Sequence, residues 1–435
     1  MGSTDWLLVV LEPDVEDFEP LTLTRAFCEL IVGSKTLLDR YRETWLRGSG
    51  SPIVLTRPHL AEVLRERRPD CVINDADGIS SLDVVVVNPV FPPTDRVLRA
   101  LEPLMRERVA MTCGGELVGA RLRGEVFSGL IGEGRTLRPD ALAVTELAVE
   151  VREVVGLRKL GGFWDLAAVG VELLGSDLEE VGSEEWEGEV HEPVHVLGER
   201  RRLVVKEGAV VEPNVTFDVR KGPIVVGEGA VVMSGSRVEG PCLIGRSSVV
   251  FPGSQVVASY FGENCRVGGE VERSVFLGFS NKRHYGYVGH SYVGEWVNLG
   301  AGTTFSNLKN TYGIVRVRAA RGFRDTGMTF LGPAVGDHVK TAIGTTVFSG
   351  KRVGAFSHLY GAVTTDVPPF TVYAKSLGAE PVELRVDSAV ETARRMMSRR
   401  GIRMSGAYER MVRRAFELTA RERTEAGVRP GELRI

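Results

Sequence analysis

From about Val204 onward, apolar residues recur at a fixed interval of six: Val226, Val232, Val238, Ile244, Val250 and Val256 are consecutive hits. The same interval holds at Val205, Val211 and Phe217, and again at Val293, Leu299 and Phe305. An α-helix, with about 3.6 residues per turn, does not generate a period of six. Short flat strands on a three-sided parallel β-helix do, because each strand turns one apolar side chain inward. Glycine follows the apolar residue at Val226-Gly227, Ile244-Gly245, Leu277-Gly278, Val288-Gly289, Val293-Gly294, Leu299-Gly300, Ile343-Gly344 and Val353-Gly354. Such a glycine suits the turn to the next face, and repeated use of it accounts for a chain with 51 Gly among 435 residues.

The first 160 residues read differently. Apolar runs at Leu7 to Leu11, Ile53 to Leu55 and Val84 to Val87 alternate with helix-like stretches near Lys35 to Leu46 and Leu60 to Arg67. That alternation predicts an α/β domain with a largely parallel sheet. Ala141 to Val155 has helical spacing, and the acidic stretch between Leu173 and Glu199 reads as a connector with a solvated charged face. After Pro381 the chain reads helical from Ala389 to Arg421, a cap for the exposed end of the coil. The expected organisation is an α/β domain with its connector over 1–190, a β-helix over 195–375 and a helical tail over 381–435.

Charge adds little except in the tail. The 54 basic and 57 acidic side chains leave a net charge of −3, which argues against a nucleic-acid partner that binds by neutralising phosphates. The tail holds 13 Arg against 8 Asp plus Glu, so it carries +5 and the remainder −8. A solvated helix on the last rung is the simpler reading; a surface for RNA or an acidic partner is the other. The first apolar run spans six residues against the ~20 needed to cross a bilayer, so no membrane role is expected. Cys28, Cys71, Cys113, Cys242 and Cys265 form no C-x-x-C pair or zinc spacing, as expected of small buried hydrophobes in a cytoplasmic protein.

Polar residues interrupt the regular coil most densely at Ser280-Asn281-Lys282-Arg283-His284-Tyr285-Gly286-Tyr287, followed by His290, Asn298, Gly300 to Gly302 and Ser306-Asn307. A histidine beside a lysine, an arginine and a tyrosine supplies the base, cation and hydroxyl that an anionic sugar substrate would use. Asn298 and Asn307 also fit plain turn asparagines.

The stretch from His284 through Tyr287, His290, Asn298 and Ala301 to Asn307 resembles the acetyltransferase half of the bifunctional N-acetylglucosamine-1-phosphate uridylyltransferase/glucosamine-1-phosphate acetyltransferase family. With "GFSNKRHYGYVGHSYVGEWVNLGAGT", "SNLKNTYG", "DTGMTFLG" and "GDHVKTAIGTTVFSG" it is most similar to a divergent bacterial and archaeal branch, and the likeness covers most of 195–375. The resemblance implies a left-handed β-helix behind a nucleotidyltransferase-like, Rossmann-like domain. It implies a homotrimer with the acetyl site between subunits. His284 would be the general base that takes a proton from the substrate amine as it attacks acetyl-CoA. Lys282, Tyr287 and Asn298 would hold the sugar and Arg273 its phosphate, while Ala301, Asn307, Leu308 and Lys340 would contact the coenzyme. Lys351 would bind a coenzyme phosphate or face solvent. A segment of about thirty residues, Lys309 to Val339, has no counterpart in the better-known members.

The N-terminal third matches that family less well. Glu12-Pro13-Asp14-Val15-Glu16-Asp17 stands where a Gly-rich turn would cradle nucleotide phosphates, and Val84 to Val87 leads into Asn88-Pro89 rather than a metal-binding aspartate. Pro20-Leu21-Thr22 and Gly33-Ser34-Lys35-Thr36-Leu37-Leu38-Asp39-Arg40 are similar to the family's proline-threonine and glycine-lysine stretches, and Arg25 lies between them. Thr22, Arg25, Lys35 and Asn88 are therefore the expected nucleotide contacts, with UTP and Mg²⁺ as the implied ligands and the metal ligands left open. Asp14, Glu16 or Asp17 would recruit the metal, or form a solvated turn. Two other functions are compatible with a β-helix: a zinc hydratase of the carbonic anhydrase type using His284, His290 and His338, and a sugar-nucleotide-sensing scaffold without turnover.

Overall fold

The computed structural model describes residues 6–45, 50–75, 79–131, 149–182 and 186–433. Leu46, residues 141–148, Glu184 and Glu185, which enter the expectations above, lie outside them. The chain divides into two compact units.

The first unit comprises residues 1–15, 25–30 and 35–161. Its seven-stranded sheet runs, across the sheet, Val72–Ile73, Ile53–Val54, Trp6–Val10, Asp83–Val87, Glu116–Arg123, Val109–Cys113, Glu150–Glu153. The first four are mutually parallel, and Glu116–Arg123 is antiparallel to both its neighbours. Val9, Leu11, Val84, Val86, Ala110 and Leu122 pack together as the core, each at most 3% exposed. Helices Leu37–Trp45 and Ala61–Arg67 fall where the sequence places them. Glu150–Glu153 does not: it is a strand paired with Val109–Cys113, so an unpaired sheet edge overrides a weak helical spacing.

The second unit comprises residues 16–24, 31–34 and 162–435. Three stacked sheets of eleven, nine and eight strands, parallel except for the last pair of the first, Thr371–Tyr373 with Val382–Glu383, build a left-handed parallel β-helix. All six residues of the hexad run are 0% exposed. Gly344 takes a left-handed φ of 68°, as expected of such a turn, but Gly245 after Ile244 and Gly262 after Phe261 act differently. A Cβ on Gly245 would lie 2.5 Å from the Phe261 carbonyl oxygen, and one on Gly262 1.7 Å from that of Leu277. Neither glycine has a positive φ. These glycines answer to the backbone of the next coil, not to a left-handed turn.

The stretch read as a connector is structured. Helix Phe163–Glu179 buries Leu174 and Leu178, and strands Glu189–Val190 and Val194–Leu197 already pair into the coil. The acidic residues masked an apolar stripe beneath them. The N-terminal segments within this unit are tied to the coil: Thr24 Oγ1 donates to Asp337 Oδ2 at 2.7 Å, and the Tyr292 hydroxyl bonds both the N–H and the carbonyl of Ile31.

At one corner of the coil Phe279, Trp296, His338, Phe356 and Phe370 all adopt left-handed φ values and stack in a column. The tail helices Val386–Ser398, Gly406–Leu418 and Ala420–Glu425 pack on it. Tyr408 meets His338 with its hydroxyl 2.9 Å from Nε2, and Phe416 sets its edge on Phe370. The tail thus runs along a corner of the coil instead of only covering its last rung. The segment 309–339 carries an antiparallel hairpin, Arg316–Ala319 with Gly322–Asp325, before the coil resumes at Ala334–Val335.

Candidate functional site

His284 lies between strands Asn281–Lys282 and Tyr287–Gly289 and is exposed. Its loop is held from inside the coil. Lys282 occupies the rung register of the inward-facing Val267 and is 2% exposed. Its Nζ donates to the carbonyls of Gly268 at 2.6 Å and His284 at 2.9 Å. Withdrawal from water pushes the Lys282 pKa down to about 8, against a smaller opposing pull from Glu270. Expected as a substrate contact, Lys282 is spent on backbone carbonyls and positions the histidine loop.

His284 and Asn298 line a cleft of about 580 Å³, within the usual range for small-molecule sites. Its walls also include Arg266, Asn281, Arg283, Lys340 and, from the tail, Arg395, Arg399 and Arg400. Asn281 Nδ2 donates to Asn298 Oδ1 at 2.7 Å, which fixes both amides. Lys340, expected at the coenzyme, stands here instead. Its Nζ donates to the carbonyls of Trp296 and His338, and desolvation lowers its pKa to about 7 despite Asp337.

That lysine has a consequence for stability. Between about pH 7 and 8.5 the unfolded chain holds the Lys340 proton and the folded chain does not, so unfolding free energy rises with pH by about 1.4 kcal/mol per unit. His358, lowered to about 4 by burial and by Lys340, acts with the same sign below that window. Denaturant melts at pH 7.0 and 8.5 should show the midpoint rising, and Lys340→Met should flatten the rise. An equal slope in the variant would assign the effect to other groups.

A second cluster forms around Tyr287. Its hydroxyl donates to Glu272 Oε2 at 3.0 Å and accepts from Asn307 Nδ2 at 2.7 Å. Asn307 Nδ2 also lies 2.9 Å from His290 Nδ1, and the His290 ring stacks on Phe330 of the 309–339 segment. Burial, chiefly, raises the Tyr287 pKa and lowers that of His290. Arg273 is exposed at a left-handed turn next to Glu272.

The 309–339 segment walls a third feature. Thr304, Ser306, Leu308, Lys309, Val315, Thr346 and Lys351 line a groove of about 710 Å³ along the second face of the coil. Leu308 and Lys351, two of the expected coenzyme contacts, both line it. Ala301 is half-buried, its carbonyl accepting from Gly344 N at 2.7 Å. The three histidines weighed for a zinc site take three separate roles: His284 in the cleft, His290 on Asn307 and His338 in the aromatic column. Among the described residues, no group of three or more His, Cys, Asp or Glu side chains could hold a metal ion.

In the first unit the carboxyl ends of the parallel strands, the usual place for a nucleotide, are knitted by Glu12. Its carboxylate accepts from the backbone N–H groups of Phe27 and Arg57, from Thr56 Oγ1 and from the Arg57 guanidinium at 2.6–3.2 Å. Arg25 is 4% exposed, and its carbonyl accepts from Arg57. Asn88 donates to Leu117 O and accepts from Val90 N, so its amide serves the turn and does not fit a Mg²⁺ ligand. Lys35 pairs with Glu43, and Thr22 is 0% exposed within the second unit. Asp17 accepts from the Ala320 N–H at 2.7 Å. Of the four expected nucleotide contacts, Arg25, Lys35 and Asn88 belong to the first unit and Thr22 to the second.

Arg283 was singled out beside His284 in the sequence, whereas Arg266, Arg399 and Arg400 were missed as cleft residues. Arg266 was findable, since it sits on the outward register of the strand before Asn281. The tail arginines were not, because a helical pattern names a face and not what that face covers.

Residues 7–181 match the sugar nucleotidyl transferase family. The chain is 38% identical over 157 residues to a bifunctional sugar-1-phosphate nucleotidylyltransferase/acetyltransferase of Sulfurisphaera tokodaii, covering 35% of this chain and 38% of that protein. It is 33% identical over 147 residues to the bifunctional protein GlmU of Bifidobacterium longum subsp. infantis, covering 33% of this chain and 31% of the relative. The chain thus matches about a third of the length of these curated relatives. A UDP-N-acetylglucosamine acyltransferase of Francisella novicida aligns over 55% of this chain and 86% of its own, at 14% identity and a TM-score of 0.20. No described helix is long and apolar enough to cross a membrane.

Proposed function

We propose that the chain is a two-part enzyme of UDP-N-acetylglucosamine formation: acetyl transfer from acetyl-CoA to the amine of glucosamine 1-phosphate on the β-helix, and uridylyl transfer from UTP to the sugar 1-phosphate, with Mg²⁺, on the α/β unit. The observation that carries the first half is an exposed histidine, backbone-anchored by a buried lysine, facing a cation-lined cleft. The family match over residues 7–181 supports the second.

Acetyl-CoA supplies an activated thioester. The substrate amine attacks its carbonyl carbon, a C–N bond forms, the C–S bond breaks and the thiolate leaves. His284 takes the proton the amine sheds and can return it to the departing sulfur, so the step balances without another reactant. Asn298, fixed by Asn281, is placed to orient sugar hydroxyls. The Leu308–Lys351 groove, about 710 Å³ and lined by the cations Lys309, Arg316 and Lys351, suits the coenzyme arm and its phosphates. Arg273 and Ala301 remain expected sugar-phosphate and coenzyme contacts by resemblance alone. A trimer is part of the same reading, since the His284 cleft and the Tyr287–Asn307 cluster would complete each other across subunits. Five free cysteines agree with a cytoplasmic enzyme.

The test is one assay in two stages. Purified chain with acetyl-CoA and glucosamine 1-phosphate should release thiol, and UTP with Mg²⁺ should then release pyrophosphate. Thiol without pyrophosphate would confine catalysis to the coil and leave the α/β unit as a binding module. Absence of both would refute the reading.

A further inference from the structure

We propose that the end of the first tail helix forms an anion seat beside His284 which holds the phosphate monoester of the amino-sugar substrate. This rests on the acetyl-transfer reading above and extends it to residues outside the coil. Among the described residues, no carboxylate lines the His284 cleft. Six other tail arginines are ion-paired: Arg394 with Glu409, Arg395 with Glu391, Arg413 with Asp387, Arg414 with Glu417, Arg421 with Glu425 and Arg423 with Glu383. Arg399 and Arg400, which face the cleft, have no carboxylate partner among the described residues, and neither do Arg266 and Arg283 opposite them.

The coil-side cations are oriented by the fold. Arg266 Nη1 donates to the carbonyls of Ser247 and Cys265, and the Arg283 guanidinium lies over the Phe251 ring, 4.5 Å from its centre. Arg400 is pushed below the ordinary arginine range by burial and then by Arg266, as expected of cations crowded without a counter-charge. Crowding like charges around a cavity is unfavourable until an anion enters, and paired guanidinium forks match phosphate oxygens.

The chemistry of the substrate selects which anion. In a 2-amino sugar 1-phosphate the amine and phosphate are on adjacent carbons, so the base and the phosphate seat must be neighbours. The phosphates of acetyl-CoA lie at the far end of a long pantetheine arm from its thioester. The groove suited to that arm shares no lining residue with this cleft.

Kinetics of R399A/R400A test the seat, with Arg421→Ala as a control for loss of tail charge elsewhere. The expected result is a KM for glucosamine 1-phosphate raised at least tenfold, a KM for acetyl-CoA within twofold, and a reduced preference for the sugar phosphate over free glucosamine. An unchanged KM for the sugar phosphate overturns the proposal, and so does a rise confined to acetyl-CoA, which would assign the arginines to the coenzyme. Calorimetric binding of glucosamine 1-phosphate, with inorganic phosphate as competitor, separates this from the parent reading. Binding lost in a double variant that melts like the parent keeps the seat even if no acetyl transfer occurs; equal binding removes it.

Discussion

Replacing His284 by alanine should lower the turnover number for acetyl transfer by about 10²–10⁴-fold, the usual worth of a positioned proton acceptor. Stability should change by no more than about 0.5 kcal/mol, because the side chain is exposed and its loop is held through its carbonyl by Lys282. The loss should fall on turnover, with the KM for acetyl-CoA close to that of the parent. A variant that keeps more than a third of the parent rate would remove His284 from the chemistry. Pyrophosphate release from UTP and supplied N-acetylglucosamine 1-phosphate should be untouched, since it is assigned to the α/β unit.

Gly286→Ala should damage both activity and stability. Gly286 has a φ of 125°, and a Cβ there would sit 2.1 Å from the Thr303 carbonyl oxygen of the next coil. Backbone on both sides leaves nothing flexible to yield, so the loop between His284 and Tyr287 must move. We expect about 1–3 kcal/mol of lost stability from conformation alone, more from the clash, and at least a tenfold loss of acetyl transfer. Gly378→Ala is the comparison: its φ is 82°, with nothing within 4 Å of the added carbon. Denaturant melts should show the smaller loss there, with acetyl transfer retained. Equal losses in the two variants would mean that left-handed strain, and not the neighbouring rung, sets the requirement at 286.

The coil was legible because its physics is periodic. Val226 to Val256 each fill the same interior position, and a count of six finds them without any partner being known. Lys282 shows where counting fails: the residue type points outward, while its register with Val267 turns it in. The 309–339 segment was visible as an excess of chain, but its hairpin obeys a period of two and pairs only with itself. In the α/β unit, two of the parallel strands are two residues long, too short to declare a face. Glu12 read as part of a solvated acidic turn because its four donors come from distant stretches of sequence. The partner of Asn88 was hidden for the same reason: Leu117, whose carbonyl takes up its amide N–H, is 29 residues away.

The hairpin segment also bears on how such a chain could acquire new parts. Successive rungs bring together residues such as Phe276 and Val293, 17 positions apart; across the hairpin, Val293 meets Val335 after 42. Because the entropy of closing a loop grows only with the logarithm of its length, that longer excursion costs about 0.8 kcal/mol more than an ordinary rung. The register resumes afterwards as though nothing had intervened, with Ala334–Val335 pairing onto Arg352–Val353. A coil corner is thus a place where evolution can lengthen a wall of a binding groove at almost no thermodynamic penalty, leaving the stacked interior to fold as before.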